Sequence, residues 1–172
     1  MCIRDRDGSD LPVDVESAAQ TLATILKKGV HLMDTLNLKD GNSFQFSLPI
    51  GKSYFVEIAK IRAFKILWAN VLAAYEVQNV VAPTIEVHFS KTEMTDDTNT
   101  NMIHATTQAM SAVIGGVERL TVLPSDKKGS AFTKRIARNV QHLLKMESFM
   151  NRVHDPAAVS YTHLTLPTTP YV

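Results

Sequence analysis

Thr84-Ile85-Glu86-Val87-His88-Phe89 sets apolar Ile85, Val87 and Phe89 against polar Glu86, His88 and, one step on, Ser90. A period of two is that of a strand with two unlike faces. Upstream, Phe44, Phe46 and Leu48 alternate with Gln45 and Ser47 until Pro49 and Gly51 close the run, and downstream Leu120 and Val122 flank Thr121 until Pro124. Between these strands the spacing turns helical. Ile58, Ile61, Phe64, Trp68, Leu72 and Tyr75 recur at threes and fours over a long stretch with no Gly or Pro inside it. A second helix leaves a Thr- and Asp-rich loop and runs to about Ile114, where Gly115-Gly116 supplies a left-handed stop. A third, capped by Ser130, has Phe132, Ile136, Val140, Leu143, Met146 and Met150 as its expected inner face, with Lys134, Arg135, Arg138 and Lys145 outside. Ahead of them all, Leu22, Leu26, Val30, Met33 and Leu36 mark another helix, with Asp14 or Ser17 as its cap and Gly29 as a break.

Strands joined by helices imply parallel crossovers and an α/β fold. Two architectures satisfy that order, an open doubly wound sheet and a closed barrel. An open parallel sheet buried by helices on both faces carries nearly continuous apolar strands. Here each strand is apolar on one face only: Gln45 and Ser47, Glu86 and His88, Arg119 and Thr121 hold the other. The alternation therefore predicts part of a (β/α)8 TIM barrel, roughly three βα units plus a preceding helix, with apolar residues toward the outer helices and a polar lumen.

The chain has 172 residues, 45% of them hydrophobic, one cysteine and a formal net charge of +1. Without an excess of Lys or Arg there is no electrostatic case for nucleic acid or anionic membrane. A single Cys excludes a disulfide framework and a multi-Cys zinc site. No apolar run reaches spanning length and Met1-Cys2-Ile3-Arg4-Asp5-Arg6 lacks the apolar core of a secretory signal, so a cytoplasmic chain is expected. The two ends read differently from the rest. Residues 1–6 back-translate to the mosaic end of a transposase-type sequencing adaptor, and residues 159–172, from Val159-Ser160-Tyr161-Thr162-His163-Leu164 onward, to its reverse complement. This reading makes 7–158 an internal segment of a longer protein, with adaptor-derived residues before it and an adaptor-derived, unstructured tail after it.

Several stretches carry a resemblance. Glu57-Ile58-Ala59-Lys60-Ile61-Arg62-Ala63-Phe64-Lys65-Ile66-Leu67-Trp68-Ala69 resembles a characteristic helix of the methylmalonyl-CoA mutase family. Thr107-Gln108-Ala109-Met110-Ser111-Ala112-Val113-Ile114-Gly115-Gly116, Thr121-Val122-Leu123-Pro124, Arg135-Ile136-Ala137-Arg138-Asn139-Val140-Gln141, Glu147-Ser148 and Val153-His154-Asp155-Pro156-Ala157-Ala158 are similar to further family motifs, in the same order. The resemblance implies an adenosylcobalamin-dependent isomerase that interconverts succinyl-CoA and methylmalonyl-CoA by radical migration. It also implies a TIM barrel threaded by the acyl-CoA, and a separate cofactor domain bearing Asp-x-His-x-x-Gly. That motif occurs nowhere in this chain, so no cobalt ligand is assigned and the cofactor is expected to sit outside the segment. Catalytic barrels of the family carry Arg-Thr-His-Ser-Gln-Thr-Ser where this chain has Pro83-Thr84-Ile85-Glu86-Val87-His88-Phe89-Ser90-Lys91. The missing Gln-Thr-Ser, with Asn101-Met102 and Met110-Ser111-Ala112, looks more like the non-catalytic small subunit, which partners a cofactor-binding large subunit as a heterodimer. The alternative is a catalytic barrel, of the large subunit or a related acyl-CoA mutase, with divergent substrate contacts.

The lumen-facing substrate-binding candidates are Glu86, His88 and Ser90; no catalytic, cofactor or metal residue is named. His88 reads either as an acid or base at a strand's C-terminal end or as a satisfied polar residue. Glu86 needs a partner such as Arg119, which makes a structural ion pair an equal reading. The stripe of Arg135, Arg138 and Lys145 reads as a solvated face or subunit contact, Trp68 and Met146 as core, and Asp96-Asp97 as a weak pointer to a hard cation.

Overall fold

A computed structural model describes residues 3–4, 17–36, 44–78, 80–90, 94–150 and 152. In chain order these form β1 (Ile3–Arg4), α1 (Ala18–Leu36), β2 (Phe44–Ile50), α2 (Tyr54–Ala74), β3 (Thr84–Phe89), α3 (Thr98–Gly115), β4 (Arg119–Thr121) and α4 (Ala131–Met146). All strands run parallel, and their order in the sheet, β1-β2-β3-β4, is their order in the chain. The expected α1 followed by three βα units is present, with β1 added as a two-residue edge pairing of Ile3 with Phe44 and Arg4 with Gln45. The expected tail at 159–172 and the Asp14 cap lie outside the described residues.

The strand faces decide the architecture. Phe44, Phe46, Leu48 and Ile50 of β2 and Ile85, Val87 and Phe89 of β3 are buried in one cluster with Ile61, Phe64, Trp68 and Leu72 of α2 and Ala105, Ala109 and Ala112 of α3. Successive helices pack on one another, α1 on α2, α2 on α3 and α3 on α4. One face of the sheet thus carries the helical layer while Gln45, Ser47, Glu86 and His88 hold the other. Sequential parallel strands under a single layer of helices are the arrangement of a barrel wall, and a doubly wound sheet would need helices on both faces.

Trp68 anchors this layer. Its ring lies 4.6 Å from Phe46 and 5.2 Å from Phe44, and Phe46 meets Phe64 edge-on at 4.8 Å. Such tilted and edge-to-face pairs are the favoured aromatic geometries. Gly29 does not break α1, which passes through it unbroken. A Cβ built there would fall 2.8 Å from Trp68 Cζ3 and 3.1 Å from Phe46 Cε1, so the missing side chain is what lets α1 seat on the aromatic cluster. Gly115 serves the same end on α3, where a Cβ would fall 2.8 Å from Ile61 Cδ1. The left-handed stop comes one residue later, at Gly116 with φ 84°.

The inner face of α4 is not the expected one. Thr133, Ala137, Val140 and Leu144 are buried, whereas Phe132 is 54% exposed, Leu143 45% and Met146 64%. Of the expected face only Val140 is buried, and Met146, read as core, lies outside. Small Thr133 and Ala137 allow close approach at the contact and turn the bulkier apolar side chains outward. The Ser130 cap is as expected: its hydroxyl accepts from Thr133 N at 3.3 Å.

Candidate functional site

The polar face of the sheet is the candidate site, and the strand register builds it. Ser47 stands beside Glu86 and Pro49 beside His88, while Glu86 pairs with Arg119 and His88 with Thr121. Side chains one step out of register then meet. Gln45 donates from Nε2 to Glu86 Oε2 at 2.8 Å, and its Oε1 accepts from an Arg119 guanidinium nitrogen at 3.2 Å. Arg119 is therefore linked to Glu86 through the amide of Gln45, which is itself buried. Sequence reasoning placed Gln45 on this face and gave it no role. An amide donates on one side and accepts on the other, so it bridges a carboxylate and a cation without adding charge.

His88 Nδ1 shares a hydrogen bond of 2.9 Å with Ser47 Oγ. A hydroxyl beside an imidazole is half of a nucleophilic set, which also needs a group to orient the base. The carboxylate on this face, Glu86, is turned to Gln45. The arrangement lines the lumen with groups that hydrogen-bond across the strands. Ser90 stands apart from Glu86 and His88. It lies just beyond β3, buried, in the wall of a cavity shared with Asn101, Ala105 and Gln108 of α3.

At the C-terminal ends of the strands two loops are tied down. Asn101 Nδ2 donates to Thr95 O and to Ser125 O, both at 2.9 Å, and its Oδ1 accepts from Thr95 N and Oγ1. Asp96 and Asp97 do not share a cation site. Asp97 caps α3 by accepting from Asn99 N and Thr100 N, and Asp96 meets the exposed Lys127 at 2.6 Å. Asp126 accepts from the Thr133 hydroxyl and from Ser130 N, which draws its carboxyl down to about 2. Because the folded value lies below the unfolded one of about 3.9, its contribution is complete above pH ~4 and is lost as pH falls toward 2. We expect Asp126→Asn to lower the urea midpoint at pH 6 and to leave it closer to wild type near pH 2.

The opposite rim is held by the charges of α2. Arg62 donates to Ile114 O at 3.2 Å, and Lys65 donates to Gly116 O and meets Glu118 at 3.0 Å. Glu118 in turn accepts from Ile85 N at 2.7 Å, fixing the start of β3.

The family profile of methylmalonyl-CoA mutase matches residues 15–168. The chain belongs to this family. It is 37% identical to the methylmalonyl-CoA mutase small subunit of Porphyromonas gingivalis over 161 residues, 86% of this chain and 26% of that relative. A small subunit from Streptomyces virginiae is 35% identical over 84% of the chain and 25% of its own length. The methylmalonyl-CoA mutase of Rhizobium meliloti is 31% identical over 73% and 19%. The chain thus spans about a quarter or less of the length of these relatives. Within the mutase family the segment is a stretch of barrel wall, and the charged residues of its most recognisable helix, Glu57, Lys60, Arg62 and Lys65, serve the scaffold.

Proposed function

We propose that this segment belongs to the non-catalytic small subunit of an adenosylcobalamin-dependent methylmalonyl-CoA mutase, which interconverts succinyl-CoA and methylmalonyl-CoA. The observation that carries the reading is the lumen face itself. Where a catalytic barrel needs polar side chains free to hold substrate, Gln45, Ser47, Glu86, His88 and Arg119 bond across the strands to one another. The similarity to small subunits of two bacteria points the same way.

Adenosylcobalamin supplies the radical chemistry of such an enzyme. The motif with which the family holds it, Asp-x-His-x-x-Gly, does not occur in this chain. In this reading the cofactor and the acyl-CoA are held by a large subunit, and this segment contributes a rigid wall to a heterodimer. No described helix is long and apolar enough to cross a membrane, and we place the heterodimer in the cytoplasm, with no nucleic-acid partner. We also read residues 1–6 and 159–172 as adaptor-derived, which the raw reads across Arg6 and Ala158 would test.

The second reading, a catalytic barrel with divergent substrate contacts, draws on the 31% identity to the Rhizobium meliloti mutase. One experiment separates the two. The full-length protein, expressed alone, should bind no adenosylcobalamin and leave succinyl-CoA unchanged, whereas cofactor binding and turnover should both arise on co-expression with a cobalamin-binding large subunit. Turnover by the protein alone would overturn the small-subunit assignment. The 172-residue chain by itself is expected to be inactive and poorly soluble, because it exposes Phe132, Leu143 and Met146 and an unpaired β4 edge among the described residues.

A further inference from the structure

Behind the lumen, where the ends of β3 and β4 meet α3, lies a cavity of about 20 Å³. Its wall includes Phe89, Ser90, Asn101, His104, Leu123 and Ser125. Two of these present buried polar atoms with no hydrogen-bond partner among the described residues, His104 Nδ1 and Ser125 Oγ. Ser125 is 5% exposed and its hydroxyl oxygen is buried. A buried polar atom left unpaired costs free energy, and two lining one cavity call for a shared partner. Asn101, three residues before His104 on α3, does not fill that role, because its donors and acceptor are spent on Thr95 and on Ser125 O. Its bond to Ser125 O instead fixes the serine backbone against α3.

We propose that this cavity is a built site for one structural water, which donates to His104 Nδ1 and bonds the Ser125 hydroxyl. The volume admits a single water, and the two unpaired polar atoms supply the hydrogen-bond partners that hold one in a largely apolar cavity. The water holds the His104 imidazole as its Nε2–H tautomer. It also joins α3 to the loop that carries β4 into α4, at the end of the barrel where loops bear chemistry. The device is therefore a second clamp on that loop, beside the direct one made by Asn101.

A crystal structure of the full-length protein tests this first. It should show one water within about 3.2 Å of both atoms. A dry cavity, a direct His104–Ser125 bond, or the Lys52 ammonium in the water's place would each overturn the proposal. In solution, oxygen-17 relaxation dispersion should count one long-lived water fewer in Ser125→Val, where the added methyls occupy the site. Equal counts would contradict it. Ser125→Ala and His104→Leu should each lower the folding equilibrium constant about tenfold, and together scarcely more than either alone. A double effect near the product of the two singles would show that no water links them.

Discussion

Replacing Lys60 by methionine is expected to cost about 3–5 kcal/mol, the range for breaking a buried ion pair from one side. Lys60 and Glu57 are each 2% exposed and their charged atoms lie 2.5 Å apart, one turn along α2. The ammonium also donates to Pro49 O at 2.8 Å, at the C-terminal end of β2. Methionine keeps the length and apolar stem of the side chain but strips a buried carboxylate of its cation and a buried carbonyl of its donor. Glu57 in the first turn keeps the favourable field of the helix N-terminus, which offsets a fraction of that loss. Removing both charges in Glu57→Leu/Lys60→Met should recover most of the stability, since an apolar pair of similar volume often matches a buried ion pair. Urea unfolding of the full-length protein, followed by circular dichroism, reports both variants. A double variant no more stable than Lys60→Met would show that the bond to Pro49 O, and not the ion pair, dominates.

That pair also shows how a motif can be read correctly for family and incompletely for role. The run from Glu57 to Ala69 identifies the family by its spelling, yet nothing in the spelling says where its charges go. Besides the carboxylates of Glu57 and Glu118, their partners include Pro49 O, Ile114 O and Gly116 O, backbone carbonyls 11, 52 and 51 residues away. Backbone acceptors carry no sequence signature. The barrel wall, by contrast, was legible because strand alternation is a local property: Phe44, Phe46, Ile85 and Val87 declare their face at a spacing of two. The lumen network was half legible for the same reason. Alternation put Gln45, Ser47, Glu86, His88 and Arg119 on one face, but only the register, with Glu86 beside both Ser47 and Arg119, shows which of them meet. Alternation extended past the end of β3 grouped Ser90 with that face, whereas it lines the cavity against α3. On α4 the apolar pattern picked the bulky residues Phe132, Leu143 and Met146, and close packing picked Thr133 and Ala137. Hydrophobicity alone does not register that small side chains make the tightest helix contacts.

Gly29 is the sharpest case of that blindness, and it leads to the other large effect. Trp68→Ala should cost about 3–5 kcal/mol, as removal of a fully buried large aromatic does, because Trp68 fills the space between α1 and β2 and touches Phe44 and Phe46. Gly29→Ala is expected to destabilise as well, by about 1–3 kcal/mol of overpacking, although alanine in a helix is ordinarily better than glycine by about 1 kcal/mol. The steric term wins because the new Cβ would sit 2.8 Å from Trp68 Cζ3 and 3.1 Å from Cη2, atoms of a ring held on its other sides by Phe44 and Phe46. Those two atoms belong to the six-membered ring of the indole, which phenylalanine would leave vacant. Trp68→Phe therefore opens a void where Gly29→Ala places its methyl. It also removes the Trp68 N–H, which is buried without a partner among the described residues. The pair Gly29→Ala/Trp68→Phe should be less destabilised than the sum of its singles by at least about 0.5 kcal/mol, the threshold for residues in contact. Additive costs in urea would mean that α1 shifts to absorb the methyl, and that Gly29 is not what sets its distance from the sheet.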